Sequence, residues 1–153
     1  MQELDLKIIN GTIANATETF YADIGIKDGL IVAIGKDIGK AKRVIDATGK
    51  YVLPGGIEAH CHIEQESSGG IMTSDDYYSG SVSAAFGGNT CFIPFAAQHR
   101  GQKLHDVLEL YHSRAKPKSV IDYSFHLIIS DPTDEVINQE LPNVIEQGIT
   151  SFK

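Results

Sequence analysis

Two histidines separated by one residue, His60-Cys61-His62, carry the plainest chemistry in this chain. Alternate residues of a β-strand share a face, so both imidazoles would offer nitrogen to one ion, and imidazole is a preferred zinc ligand. Cys61 would then point to the opposite side, and neither cysteine (Cys61, Cys91) has the paired spacing of a zinc ribbon or a disulfide framework. A bare His-x-His is equally compatible with two ordinary core or surface histidines, so its setting matters. The pair follows Leu53-Pro54-Gly55-Gly56-Ile57 near the end of an expected strand, and Lys153 ends a later one. An ammonium group has no lone pair to give a cation, which on its own argues against Lys153 as a ligand.

The elements that must position these groups fall into two patterns. Up to Lys50 the chain reads as short strands and tight turns, with Asn10-Gly11 and Asp28-Gly29 each set between apolar runs as in two-residue hairpins. From Tyr51 the pattern alternates strand and helix. Ile57 to His62 is a strand, and Thr73 to Asp76 supply helix-start chemistry for Tyr77 to Phe86, which Gly87-Gly88 ends. Thr90 to Phe95 is a second strand. A helix from about Lys103 carries Leu104, Val107, Leu108 and Tyr111 on one face until Pro117 stops it.

Val120 to Ile129 forms a third strand whose near-continuous apolar character fits burial on both faces. A helical region broken near Pro142 follows, and Ile149 to Lys153 forms a fourth strand. Uninterrupted strand-helix repetition predicts parallel strands with right-handed crossovers. The expected fold is α/β: a small β-rich, β-sandwich-like unit over residues 1–52, then the first half of a (β/α)8 TIM barrel over residues 53–153. Half a barrel leaves a strand edge uncovered, so further chain or a partner is expected.

Composition excludes several classes. With 42% apolar and 22% charged residues the chain has the makings of a packed core, which rules out a disordered or fibrous reading. A net charge of −7 with no basic run argues against a nucleic-acid partner. No apolar stretch is long enough to cross a membrane, and Glu3 and Asp5 stand where a signal peptide would be basic, so a soluble cytoplasmic protein is expected.

Four motifs in order, Ala22-Asp23-Ile24-Gly25-Ile26-Lys27-Asp28-Gly29, Val44-Ile45-Asp46-Ala47, Leu53 through His62, and Gly148-Ile149-Thr150-Ser151-Phe152-Lys153, resemble the dihydropyrimidinase and hydantoinase family of amidohydrolases. The resemblance runs the length of the chain, and family chains extend much further. It implies a binuclear metal site, most often zinc, in which His60 and His62 bind one ion and Lys153 bridges two after carbon dioxide converts its amine to a carbamate. It also implies hydrolytic opening of a small cyclic amide or imide, and a homo-oligomer, commonly a tetramer. The remaining ligands and the proton-shuttling aspartate would lie beyond residue 153.

The stretch from Ile63 to Met72 departs from the family pattern: it is more polar, richer in glycine and one residue longer, which leaves the substrate side chain open. Glu64 and Glu66 are expected to be solvated loop residues and not a catalytic carboxylate pair. Dihydroorotases resemble one another in an arginine just after the histidine pair, and Ile63 and Glu64 stand there instead. Allantoinase-like specificity is the other enzymatic alternative. An assembly protein of the collapsin-response-mediator type is the non-enzymatic one, and retention of His60, His62 and Lys153 argues against it. His99, His105, His112 and His126 are assigned to loops, helix surface or core.

Overall fold

In the computed structural model the described residues are 3–67 and 69–153, so Met1 and Gln2 of the expected non-signal N-terminus, and Ser68 of the polar loop, lie outside them. The chain divides into two compact units, Met1–Pro54 and Gly55–Lys153.

Among the described residues the first unit holds seven strands: β1 (Leu4–Ile9), β2 (Thr12–Ala14), β3 (Thr19–Tyr21), β4 (Asp23–Lys27), β5 (Leu30–Gly35), β6 (Ala41–Asp46) and β7 (Tyr51–Val52). They form two sheets, β5-β4-β1-β6 and β3-β2-β7. Asp28-Gly29, with φ of 50° and 77°, closes the expected antiparallel hairpin between β4 and β5. Asn10-Gly11 does not close a hairpin, contrary to expectation, because β1 and β2 belong to different sheets. The positive φ of Asn10 (61°) serves a corner between sheets, where Asn10 bonds Asp46 Oδ1 at 3.1 Å. Gly11 is required there by close approach: a Cβ would sit 2.5 Å from Val52 Cγ2.

The second unit runs β8 (Gly56–Cys61), α1 (Tyr77–Phe86), β9 (Asn89–Ala97), α2 (Leu104–Ala115), β10 (Asp122–Tyr123), β11 (His126–Ile128), a π-helical turn (Val136–Glu140) and α3 (Leu141–Glu146). The fold is mixed α/β with parallel pairing throughout this sheet: β9 lies between β8 on one side and β10 and β11 on the other. The residues after Gly148 lie parallel to β11, held by Leu127 N to Ser151 O (3.1 Å), Lys153 N to Leu127 O (3.0 Å) and Ile129 N to Lys153 O (2.9 Å). The sheet does not close into a barrel among the described residues.

Local chemistry explains most of these boundaries. Asp76 caps α1 in a reciprocal box with Ser79, the Ser79 N–H donating to Asp76 Oδ1 (2.9 Å) and the Ser79 hydroxyl accepting from the Asp76 N–H (3.2 Å). The apolar face of α2 is buried as its spacing predicts, through Leu104, Val107, Leu108, Tyr111 and Ala115. Its N-terminus lacks a local cap, and Glu140 Oε2 accepts from Leu104 N instead (2.7 Å). Pro142 has no N–H for the carbonyl four residues back, and the turn ahead of it widens to π geometry.

The third strand is shorter than expected and splits into β10 and β11, with Ser124 and Phe125 between them. Pro94 is the cause. It lies in the middle of β9 and offers no N–H, and both neighbours lose regular pairing at its level: β10 pairs only as far as Phe92 and β11 resumes at Phe95.

Two buried polar side chains in this core differ in satisfaction. Gln98, 2% exposed, accepts from Ser130 N (2.9 Å) and Asp131 N (3.0 Å) and donates to Gln102 O (2.8 Å), tying together the segments that follow β9 and β11. The Tyr77 hydroxyl is fully buried without a partner among the described residues. Chemical denaturation is expected to show Gln98→Leu losing about 1–3 kcal/mol, whereas Tyr77→Phe stays within about 1 kcal/mol of wild type or exceeds it.

Candidate metal centre

His60 and Cys61 end β8, and His62 lies one residue past it, so the histidine pair does not sit on a regular strand as expected. The β8–β9 register passes from Glu58 opposite Phe92 to Cys61 opposite Pro94, leaving Ala59 and His60 together facing Ile93. Such a bulge, two residues against one, re-aims the side chains it carries. Both imidazoles still meet: their ring centroids are 5.7 Å apart, and each contacts the ring of Phe95, His60 at 5.0 Å and edge-on, His62 at 4.8 Å and stacked.

Lys153 reaches the same aromatic ring from the other side of the sheet order, its Nζ 4.7 Å from the Phe95 centroid. Ala59, His60, Phe95, His126, Ser151, Phe152 and Lys153 together line one open recess of about 340 Å³. His62 borders a second recess with Glu58, Cys61 and Asp75, so the three candidate residues converge on Phe95 without lining a single pocket. A set of three or more histidine, cysteine or carboxylate side chains able to hold an ion is absent among the described residues.

The tautomer of His62 follows from its neighbour. Gln65 Oε1 lies 2.7 Å from His62 Nδ1 and can only accept, so Nδ1 carries the proton and Nε2 keeps its lone pair. Gln65 is held in turn by Thr73, whose hydroxyl accepts from Gln65 N and whose N–H donates to Gln65 O, both at 3.0 Å.

Glu64 is not the solvated loop residue expected. Its side chain is 18% exposed, its two carboxylate oxygens each lie 2.9 Å from Lys118 Nζ, and Oε2 accepts from Tyr77 N at 3.2 Å. Arg114 donates to its carbonyl (3.0 Å) and its own N–H donates to Asp75 O (2.9 Å). These contacts hold a non-glycine residue at a φ of 46° and anchor the loop after His62 to both helices. Ile63 beside it is buried, and neither residue lines the recess that holds His60, His126 and Lys153.

The other histidines divide cleanly. His105 is exposed on α2 and His99 sits in a loop. His112 packs edge-on against Phe125 at 4.9 Å, and burial lowers its pKa. His126 is the one that reasoning from sequence underrated: its ring lies 5.1 Å from Phe95 within the recess, and both of its nitrogens are engaged. The role of Phe95 as common floor was likewise invisible, since it reads simply as one apolar strand residue among several.

The chain is thus a mixed α/β protein in which two imidazoles and an amine contact one aromatic ring, and comparison with known proteins gives the family. No family model matches the chain. It is 50% identical over 148 residues to D-hydantoinase from Geobacillus stearothermophilus, covering 95% of this chain and 31% of that protein. It is 33% identical over 154 residues to dihydropyrimidinase from Rattus norvegicus, covering 97% and 30%. A solved D-hydantoinase superposes with a TM-score of 0.93 at 45% identity, over 97% of this chain and 32% of that one. The chain belongs to the hydantoinase/dihydropyrimidinase family, whose N-terminal portion it matches. It spans about a third of the length of these relatives.

Cys61 stands apart from the ligand chemistry. It packs against the apolar core, and burial, with a smaller contribution from the Glu58 carboxylate, pushes its thiol up to about 11. The reactive thiolate is therefore scarce at neutral pH. Alkylation at Cys61, followed by peptide mass spectrometry, is expected to keep accelerating as pH rises toward about 11. A plateau near the ordinary cysteine value would contradict this.

Proposed function

We propose that this chain contributes the first part of a metal-dependent cyclic amidohydrolase of the hydantoinase/dihydropyrimidinase type, which opens a small cyclic amide or imide at a ring C–N bond. The observation that carries this reading is the convergence of His60, His62 and Lys153 on the ring of Phe95. Parallel strands alternating with helices after Gly55 support a first half of a (β/α)8 barrel, whose active sites form at strand C-termini.

The donor set fits divalent metal. Two imidazoles, each about 2.0–2.1 Å from a shared ion at a near-tetrahedral angle, have ring centres about 5–6 Å apart, and the observed spacing is 5.7 Å. The Gln65 contact that leaves the His62 Nε2 lone pair free is the outer partner such a ligand needs. Lys153 fits only as a carbamate formed with carbon dioxide, which replaces an ammonium by two anionic oxygens suited to bridging two ions. Phe95, buried and in contact with all three side chains, would lower the local dielectric and so strengthen electrostatic interactions there. Zinc bound there would supply Lewis-acid polarisation of the ring carbonyl and ready deprotonation of water.

The chain's own residues hold and orient. His60 and His62 would bind one ion, Lys153 would bridge to the second, and Gln65 would set the His62 ring. A carboxylate clamp of the dihydroorotase kind lacks support, since Ile63 is buried and Glu64 is paired with Lys118. The homotetramer that the resemblance implies is to be tested by light scattering on the full-length protein.

The test uses the full-length protein, assayed on hydantoin, dihydrouracil, allantoin, dihydroorotate and succinimide with its zinc content measured. Ring opening of hydantoin or dihydrouracil is expected, lost on chelation and restored by zinc. Lys153→Ala and His60→Ala are each expected to lose metal and to lower kcat/KM by about 10³-fold. Turnover of dihydroorotate alone would overturn the substrate class. Substoichiometric metal without turnover would favour the assembly-protein alternative.

A further inference from the structure

We propose that His126 is a positioning residue that holds the His60 and Lys153 ends of the cluster in mutual register, one ring nitrogen donating to the Ala59 carbonyl and the other accepting from the Ser151 hydroxyl. This rests on the ligand reading proposed above. The need for such a residue follows from the backbone. At the level of Pro94 the β8–β9 ladder is interrupted, and the peptide link between Ala59 and His60 falls in the bulge. Its two polar groups are satisfied by side chains instead: the His60 N–H donates to Glu58 Oε1 at 2.9 Å, and the Ala59 carbonyl accepts from His126 Nε2 at 2.8 Å. The orientation of the peptide that carries His60 is thus set by His126 from a strand two places away.

The second bond follows from the first. A carbonyl can only accept, so Nε2 carries a proton; Nδ1 meets the Ser151 hydroxyl at 2.5 Å, and in the neutral ring it accepts from that hydroxyl. Ser151 lies two residues before Lys153, and its carbonyl is fixed by Leu127 N, the residue after His126. His126 itself opens β11 opposite Phe95 and rests against that ring. One imidazole therefore bridges the segments bearing two candidate ligands, on the same aromatic floor that those ligands share.

Removing either bond should loosen one end only. In the full-length protein, zinc stoichiometry and apparent affinity by chelator competition would be measured beside the melting temperature. His126→Asn keeps an acceptor near the Nδ1 position and gives up the Ala59 bond, so affinity for the ion held by His60 is expected to fall roughly 10–100-fold, the scale for losing an outer-sphere partner. Ser151→Ala, and His126→Gln with its donor near the Nε2 position, are expected to spare that ion and to weaken retention of a second equivalent by a similar factor. Lower melting temperatures with unchanged zinc affinities would reduce His126 to a structural residue and overturn the inference. If the His126 variants fail to fold, Ser151→Ala decides the matter alone. A wild-type protein that binds no zinc would overturn the ligand reading and this inference with it, whereas tight binding by wild type and variants alike would overturn only the inference.

Discussion

The middle of β9, around Pro94, is the level at which the ladders of the second unit are interrupted on both sides. A parallel ladder needs an N–H from each residue that faces a neighbour, and a proline in its central strand cannot give one. Phe92, two residues earlier, accepts from Ser124 N, so Pro94 faces the same side, and there the neighbouring strand breaks into β10 and β11; on the opposite side, at the same level, β8 carries a bulge at Ala59 and His60. Without the bulge, His60 would keep the alternation of a flat strand. With it, the two imidazoles meet at 69° over Phe95 and the Ala59 carbonyl is released to a side-chain partner.

Around that break the unit is held by polar side chains that bond backbone, each replacing ladder or helix bonds that the local sequence cannot supply. Gln98 ties the loop after β9 to the loop after β11, Glu140 caps α2, and Glu64 gathers Lys118, Arg114 and the start of α1. Lys118 also approaches Asp76 Oδ2 at 3.3 Å, and its pKa is raised chiefly by the Glu64 hydrogen bonds. Carboxylates and an ammonium in this half-exposed setting fix loop geometry more than they add stability. Their effect is to anchor the loop that starts at His62, so that Gln65 can meet the Nδ1 of that ring.

Much was legible in the amino-acid sequence because the signals are local. The apolar spacing of α2, the cap at Asp76 and the turn at Asp28-Gly29 each depend on neighbours a few residues away, and each appears where those neighbours require. The His-x-His pair was readable for the same reason as two imidazoles able to share an ion, whereas Lys153 drew notice only through the family resemblance. The family resemblance rested on four short stretches of this kind, and the fold and sequence likeness to D-hydantoinase agrees with it.

What tertiary structure alone decided are the relations between distant residues. Asn10-Gly11 has the composition of a hairpin turn, yet it turns a corner, because whether β1 and β2 pair depends on β4, β6, β3 and β7. Glu64 reads as a solvated loop carboxylate until Lys118, far along the chain, is brought to it by α2. His126 reads as a strand histidine until the sheet aligns Ala59 and Ser151 on either side of its ring. By itself the sequence determined where most helices and turns fall and which functional groups are present, since those follow from local propensity and residue type. It could not determine which carbonyl is left unpaired or which ring lies beneath the histidines, because both are set by strand register across dozens of residues.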